Sequence, residues 1–378
     1  MLRTKDSRTV LLVAVAGVLT QHMILWIAGL VGVRDWAQLS RRGDGILYLW
    51  IAEHGYSVGR LLGDLELTWE KSDYVFYPLL PGVVRALTYT GLTFQHSALL
   101  VTSASTVIAA VLLHHFLSCH YSAFVSIAVP AMWVFQPYAI VLVSVLTESM
   151  FAMFSIFTLL AVQKRRYLLA ALGVLAVCLT RITGAAIAAS VLVYIIYSAW
   201  KIHRNLLKIK WQEALLLVSC VVSPLIWPIY VANILGRWDG YFYLQSEQWN
   251  SRFDGGLSLL REILSLLNFN DGVPTSMRFQ IIGVASVLAL LLLVLLIFNR
   301  EPLLVWLPTL GVISMAVVQA GWFTVKQRFF VPAFFLFIPV AKWLESKNLF
   351  IRLGTAFTFG AMTMSMTWWI SMYYIRSL

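Results

Sequence analysis

Asp44 stands between two glycines in the stretch RRGDGILYLWIAEHGYS, which begins at Arg41. Glycine tolerates unusual dihedrals and leaves room beside the backbone, so a substrate can approach a carboxylate held there closely. The apolar and aromatic residues over 46–52 predict a short helix lying on a membrane surface, and Gly55 is a natural C-terminal stop for it. Asp44 then sits at the helix N-terminus, where a carboxylate is favoured by about 0.3–1 kcal/mol. Two readings stand on these residues alone. Asp44 is a carboxylate open to a bound molecule, or it is a helix cap with Glu53 as a solvated neighbour. After a polar stretch the chain continues as SDYVFYPLLPGVVR, beginning at Ser72.

The elements that position these residues follow from composition. Of 378 residues, 60% are apolar and only 12% charged. A soluble domain carries about 25% charged residues. At about 20 residues per span, the apolar content suffices for roughly eleven membrane helices. A water-soluble enzyme, a disordered chain and a nucleic-acid-binding domain are all excluded, despite a net charge of +11. The three cysteines (Cys119, Cys178, Cys220) show no metal or disulfide spacing. His114, His115 and His120 have no carboxylate nearby in sequence, so no metal site is expected there.

Apolar runs near 10–33, 97–117, 121–138, 147–163, 167–181, 184–200, 213–235, 279–298, 302–319, 329–344 and 353–374 are the candidate helices. The first run is too long for a signal-peptide core and is expected to remain as a span. The chain therefore reads as a single integral-membrane domain over 1–378, all-α and polytopic. Its outer loops fall at about 34–96 and 236–278, and the first contains interfacial helices. Residues 76–87, broken by Pro78 and Pro81, read as re-entrant or interfacial. With the N-terminus cytoplasmic, the inner face holds 14 of the 28 lysines and arginines against four acids: Asp6, Glu213, Glu301 and Glu345. Short outer segments carry only Arg181, Lys326, Arg328 and Arg376. The positive-inside rule favours this orientation.

The first-loop residues Asp44-Gly45, Tyr48, Ile51-Ala52-Glu53-His54-Gly55-Tyr56 and Phe76-Tyr77-Pro78-Leu79-Leu80-Pro81 resemble the signature of the PIG-V family. These are the second mannosyltransferases of GPI-anchor assembly and their prokaryotic relatives. The chain departs at Gly43, where the family usually has tryptophan. Thr147-Glu148-Ser149-Met150-Phe151-Ala152, Arg181-Ile182-Thr183-Gly184, the stretch from Gln245 to Trp249, and Gln327-Arg328-Phe329-Phe330 with Pro332 resemble later family segments in the same order.

The resemblance implies a GT-C type membrane glycosyltransferase. It implies a polyprenyl-phosphate sugar donor, with mannose as the sugar, and a lipid-linked or polymer (glycan) acceptor on the outer face. No P-loop or dinucleotide fingerprint competes with this reading. Asp44 is then the candidate base for the acceptor hydroxyl, in inverting transfer. Arg181, Lys326 and Arg328, each alone at an outer helix end, are candidates for the donor phosphate, together with His54. Glu53, Tyr56, Tyr77, Glu148, Gln248 and Trp249 are candidates for lining the substrate path. Arg181 alternatively pairs with Glu148, Glu148 alternatively caps its helix, and the aromatic residues alternatively form an ordinary interfacial belt. No metal or other cofactor is expected; the partners are the two lipid-linked substrates and membrane lipids, not nucleic acid. A lipid or sugar transporter (flippase) and a non-catalytic scaffold of a glycosylation complex are the rival classes. The absence of any Asn-x-Ser/Thr site favours a prokaryotic plasma membrane over a eukaryotic internal one.

Overall fold

Ten of the eleven apolar runs each fall on one helix, because inside a bilayer a backbone can satisfy its own polar groups only by closing them within the segment. The computed structural model describes residues 2–31, 36–41, 43–56, 72–203, 210–267, 277–320 and 326–373. Its helices are α1 (Leu2–Val31), α2 (Trp36–Ser40), α3 (Asp44–His54), α4 (Leu79–Thr88), α5 (Phe94–Leu117), α6 (Ala123–Val134), α7 (Glu148–Gln163), α8 (Tyr167–Cys178) and α9 (Gly184–His203). They continue as α10 (Trp211–Leu235), α11 (Gly240–Glu247), α12 (Leu257–Leu267), α13 (Met277–Phe298), α14 (Leu303–Val318), α15 (Lys326–Phe330), α16 (Phe337–Glu345) and α17 (Leu349–Tyr373). Two-residue strands β1 (Arg252–Phe253) and β2 (Gln319–Ala320) pair antiparallel. Among the described residues, five helices are long and apolar enough to cross a membrane, and six shorter apolar helices accompany them.

Three departures from the expected pattern have local causes. The run 329–344 is not one helix: α15 stops at Phe330, a 3-10 turn spans Phe334–Leu336, and α16 follows. Pro332 offers no amide donor and restricts the residue before it, so the helix cannot pass through. The run 121–138 stops at Val134, shortly before Pro137, and a 3-10 turn at Ala139–Leu142 follows. The second long loop is not irregular over its described part, since α11, β1 and α12 lie within it.

α5 packs against α7, α7 against α8, and α8 against α10, while α1 leans on α5 and α17, and α9 on α14. The main core runs through this bundle, with Phe116, Trp133, Phe151 and Phe335 fully buried. A second core joins α3 and α4 to α10 and α11, through Tyr48, Tyr74, Leu80, Trp227 and Tyr241. The loops that alternation assigns to one face meet at one end of the bundle. Glu301, nearly buried, accepts from the Tyr121 hydroxyl at 2.7 Å and pairs with Lys342. At the other end meet Asp44, Glu148, Arg181 and Arg328.

Candidate functional site

Each of these four charged residues sits at a helix end or in a tight turn, and each is placed by its own local chemistry. Asp44 is the first residue of α3, and Gly43 before it takes φ +57°. That positive φ is strained for any residue with a Cβ, which accounts for a glycine at this position. Gly55 closes the helix at φ +80°, its amide donating to the Ile51 carbonyl at 2.9 Å. Glu148 is the first residue of α7, where the helix dipole favours a carboxylate. The buried segment 139–147 leading to it is held by α5: Thr106 donates to the Leu142 carbonyl at 2.7 Å and Thr102 to the Val143 carbonyl at 3.4 Å. The Val145 amide donates to the Ser40 carbonyl at 3.0 Å, which ties that segment to the residues just before Asp44.

Arg181 lies in the turn from α8 to α9. A Cβ on Gly184 would stand 2.6 Å from both the Cys178 Cα and the Val177 carbonyl oxygen, so only glycine permits this turn. The Leu79 amide donates to the Leu179 carbonyl at 3.1 Å and docks the start of α4 on the same turn. Arg328 is presented by α15, just before the break at Pro332 described above.

The four side chains form one network. Arg181 Nη1 donates to Glu148 Oε1 at 2.9 Å. Arg328 Nε lies 2.6 Å from the same oxygen, and Arg328 Nη1 lies 2.7 Å from Asp44 Oδ2. The N–H directions of both Arg328 nitrogens fall outside hydrogen-bond geometry, so these two contacts are coulombic. Side-chain exposure is 0% at Glu148, 7% at Arg328, 10% at Arg181 and 24% at Asp44. The two guanidinium charges balance the two carboxylates. Only the Asp44 carboxylate keeps a substantial open face.

The Phe329 ring lies 4.9 Å from the Arg181 guanidinium carbon and 5.7 Å from that of Arg328. Burial alone would lower the Arg328 pKa, but the Glu148 and Asp44 carboxylates more than offset it, so Arg328 stays charged. Tyr48, one helical turn after Asp44, feels all four groups; burial first, and Asp44 second, push its pKa up, so its hydroxyl stays protonated.

Beside the network lies an aromatic cluster. Tyr48 meets Phe76 edge-on at 5.0 Å, and Phe76 meets Trp249 edge-on at 5.3 Å. Tyr56 stacks on Tyr74 at 4.9 Å and donates to the Phe76 carbonyl at 2.8 Å. Trp227 stacks on Tyr230 at 5.1 Å and donates to the Tyr74 carbonyl at 3.0 Å. Tyr77 is buried against Tyr241 at 5.7 Å.

Among the residues singled out from sequence, the structure thus brings Asp44, Glu148, Arg181 and Arg328 into mutual contact. It gathers Tyr56, Tyr77 and Trp249 in the adjoining aromatic cluster, and sets Gln248 at the C-terminus of α11 next to Trp249. Glu53 and His54 are exposed at the far end of α3, about 15 Å along the axis from Asp44 at 1.5 Å per residue. His54 stacks there on Trp50 at 4.0 Å. The side chain of Lys326 lies outside the described residues. Phe329, Tyr74, Trp227, Tyr230 and Tyr241 join the site without having been singled out. The tryptophan and three tyrosines carry no motif in the sequence, and Phe329 stands there only as part of the Gln327-Arg328-Phe329-Phe330 segment. Among the described residues, no three or more His, Cys, Asp or Glu side chains cluster in a way that could hold a metal ion.

No family model matches the chain, and no curated protein sequence matches it. Solved structures do. The oligosaccharyltransferase of Archaeoglobus fulgidus, tethered with an acceptor peptide containing the NVT sequon, matches with a TM-score of 0.52 at 10% identity. Its apo form matches with a TM-score of 0.51 at 11% identity. The matches cover 96% of this chain and 54% and 55% of those structures, so the chain spans about half the length of that enzyme. At this identity the likeness is one of fold. The chain is an all-α polytopic membrane protein with the GT-C type fold.

Proposed function

We propose that the protein is an inverting glycosyltransferase that takes a sugar, mannose, from a polyprenyl-phosphate donor and passes it to a lipid-linked or glycan acceptor. The observation that carries this reading is the partly open Asp44 carboxylate, anchored by a buried, charge-balanced network at one end of a membrane bundle. Two further points support it. The fold is shared with a membrane oligosaccharyltransferase, and the first-loop residues resemble the PIG-V signature, which is the source of the mannose assignment. In the reaction, the acceptor oxygen attacks the anomeric carbon as its proton passes to Asp44, while the bond from that carbon to the phosphate oxygen breaks. Such proton acceptance contributes about 10²–10⁴-fold. Arg181 and Arg328, with Lys326 on the same short helix α15 as Arg328, are offered to the charge growing on the leaving phosphate; His54, about 15 Å along α3 from Asp44, stands apart from it. Tyr56, Tyr77, Gln248 and Trp249 offer stacking and polar contacts to the sugar or the lipid. No divalent metal takes part.

Alternation of the spans and the positive-inside rule favour the outer face for this end, with the N-terminus in the cytoplasm, and the absence of any Asn-x-Ser/Thr site favours a prokaryotic plasma membrane. The test is a lipid-glycan profile of a strain lacking the protein, complemented by wild type or by Asp44→Asn. Accumulation of an acceptor one sugar short in the deletion, reversed by wild type but not by Asp44→Asn, is the expected result. Reversal by both would remove the catalytic assignment and leave a transporter or scaffold.

A further inference from the structure

Arg328 reaches two carboxylates of unlike environment. Behind it, the fully buried Glu148 holds its Nε at 2.6 Å, and the same Glu148 oxygen is also fixed by Arg181 at 2.9 Å. In front of it, Nη1 meets Asp44 Oδ2 at 2.7 Å, on the one side chain of the four with an open face. Phe329 packs alongside both guanidiniums. A planar guanidinium spreads its charge over two sides and can face two anions at once at a set separation, even through coulombic contacts alone, which the single charged centre of an ammonium cannot do. The far side of this fork is pinned in protein; the near side sets where the Asp44 carboxylate lies.

Building on the reading of Asp44 as the base, we infer that Arg328 is a positioning residue: a built-in cation that bridges Glu148 to Asp44 and fixes the Asp44 carboxylate for proton transfer. Its charge is then spent on the two carboxylates, so its main effect falls on turnover and not on capture of the donor phosphate. A cation placed between paired carboxylates is the job a bound metal often performs, and here the chain supplies the cation itself. Removing the fork leaves a gap between two acids that a small planar cation can refill. Glu148 is the buried anchor of the arrangement, and Arg181 holds the anchor.

The test uses the full-length protein in lipid nanodiscs, with polyprenyl-phosphate mannose and the acceptor named by the deletion strain. Arg328→Lys keeps the charge but reaches one carboxylate at a time. It should lower kcat by about 10²-fold, the scale expected from an ångström-level misplacement, while leaving the donor KM nearly unchanged. Arg328→Ala should lose more, and added guanidinium should restore about tenfold of it; guanidinium should do nothing for Asp44→Asn. If Arg328→Ala does not fold, Arg328→Lys and Glu148→Gln carry the test through the same split of kcat from KM. A raised donor KM at normal kcat in Arg328→Lys would overturn the inference in favour of a phosphate ligand. Folded Arg328→Ala without rescue by guanidinium would also overturn it. Full activity of Asp44→Asn would instead sink the base reading itself. An inert Asp44→Asn beside a normal Arg328→Lys would sink only the bridge.

Discussion

Replacing Glu148 by methionine removes the carboxylate at the centre of the network. Arg328 then keeps Asp44 at 2.7 Å, but among the described residues Arg181 is left with the faces of Phe329 and Phe151, at 4.9 and 5.8 Å. Its side chain is 10% exposed, so the charge has little water to turn to. Breaking a buried ion pair from one side costs about 3–5 kcal/mol, and the ring contacts, already made in wild type, return nothing. The expected loss is therefore about 3–5 kcal/mol. The double variant Glu148→Met with Arg181→Met removes one charge of each sign and leaves the Asp44–Arg328 pair balanced. Replacing a buried pair by apolar residues of similar volume is often neutral, so the double variant should be more stable than Glu148→Met by about 2 kcal/mol. The assay is reversible denaturation in detergent micelles, followed by tryptophan fluorescence, with all three variants and wild type in one double-mutant cycle. Additive losses, or a single variant as stable as wild type, would refute the charge balance on which the site is built.

Four other outcomes follow from the same geometry. Gly184→Ala should destabilise by about 1–3 kcal/mol or prevent folding, because its methyl would stand 2.6 Å from two backbone atoms; melting of the purified variant checks this. Trp227→Phe should cost about 1–3 kcal/mol in the same denaturation assay, since it orphans the buried Tyr74 carbonyl that the indole now satisfies. Glu301→Gln, at the opposite end of the bundle, should lower stability while leaving transfer kinetics as in wild type, because its partners are Tyr121 and Lys342 and not the site. A changed donor KM in that variant would show that the two ends are coupled. Asp44→Asn should abolish transfer, as developed below.

Much of the fold is legible in the residues because a bilayer demands apolar helices, and ten of the eleven runs each fall on one. What periodicity misses is where a run breaks: Pro332 and Pro137 act through backbone sterics that a hydropathy window averages away. The helices within 236–267 are hidden for the opposite reason, since α12 mixes Leu257, Leu260 and Leu264 with Arg261 and so looks like polar loop in a window tuned to spans. In the site, Asp44, Glu148, Arg181 and Arg328 stand out because charge is rare beside apolar runs. Their pairing is not legible, because these residues are far apart in sequence and meet only when α3, α7, the α8–α9 turn and α15 converge. The glycine at 43 departs from the signature that the first loop resembles, and only its positive φ in the structure gives a reason. The aromatic cluster around Trp227 shows the same limit: its rings come from the first loop, α10 and α11, and composition alone cannot tell a packed cluster from an interfacial belt.

The most direct measurement is transfer by the purified protein from polyprenyl-phosphate mannose, with binding and turnover read separately for wild type and Asp44→Asn. The amide keeps the size of the side chain but cannot accept the proton. The account predicts retained donor binding with transfer lowered by about 10²–10⁴-fold. Turnover in Asp44→Asn equal to that of wild type would contradict it.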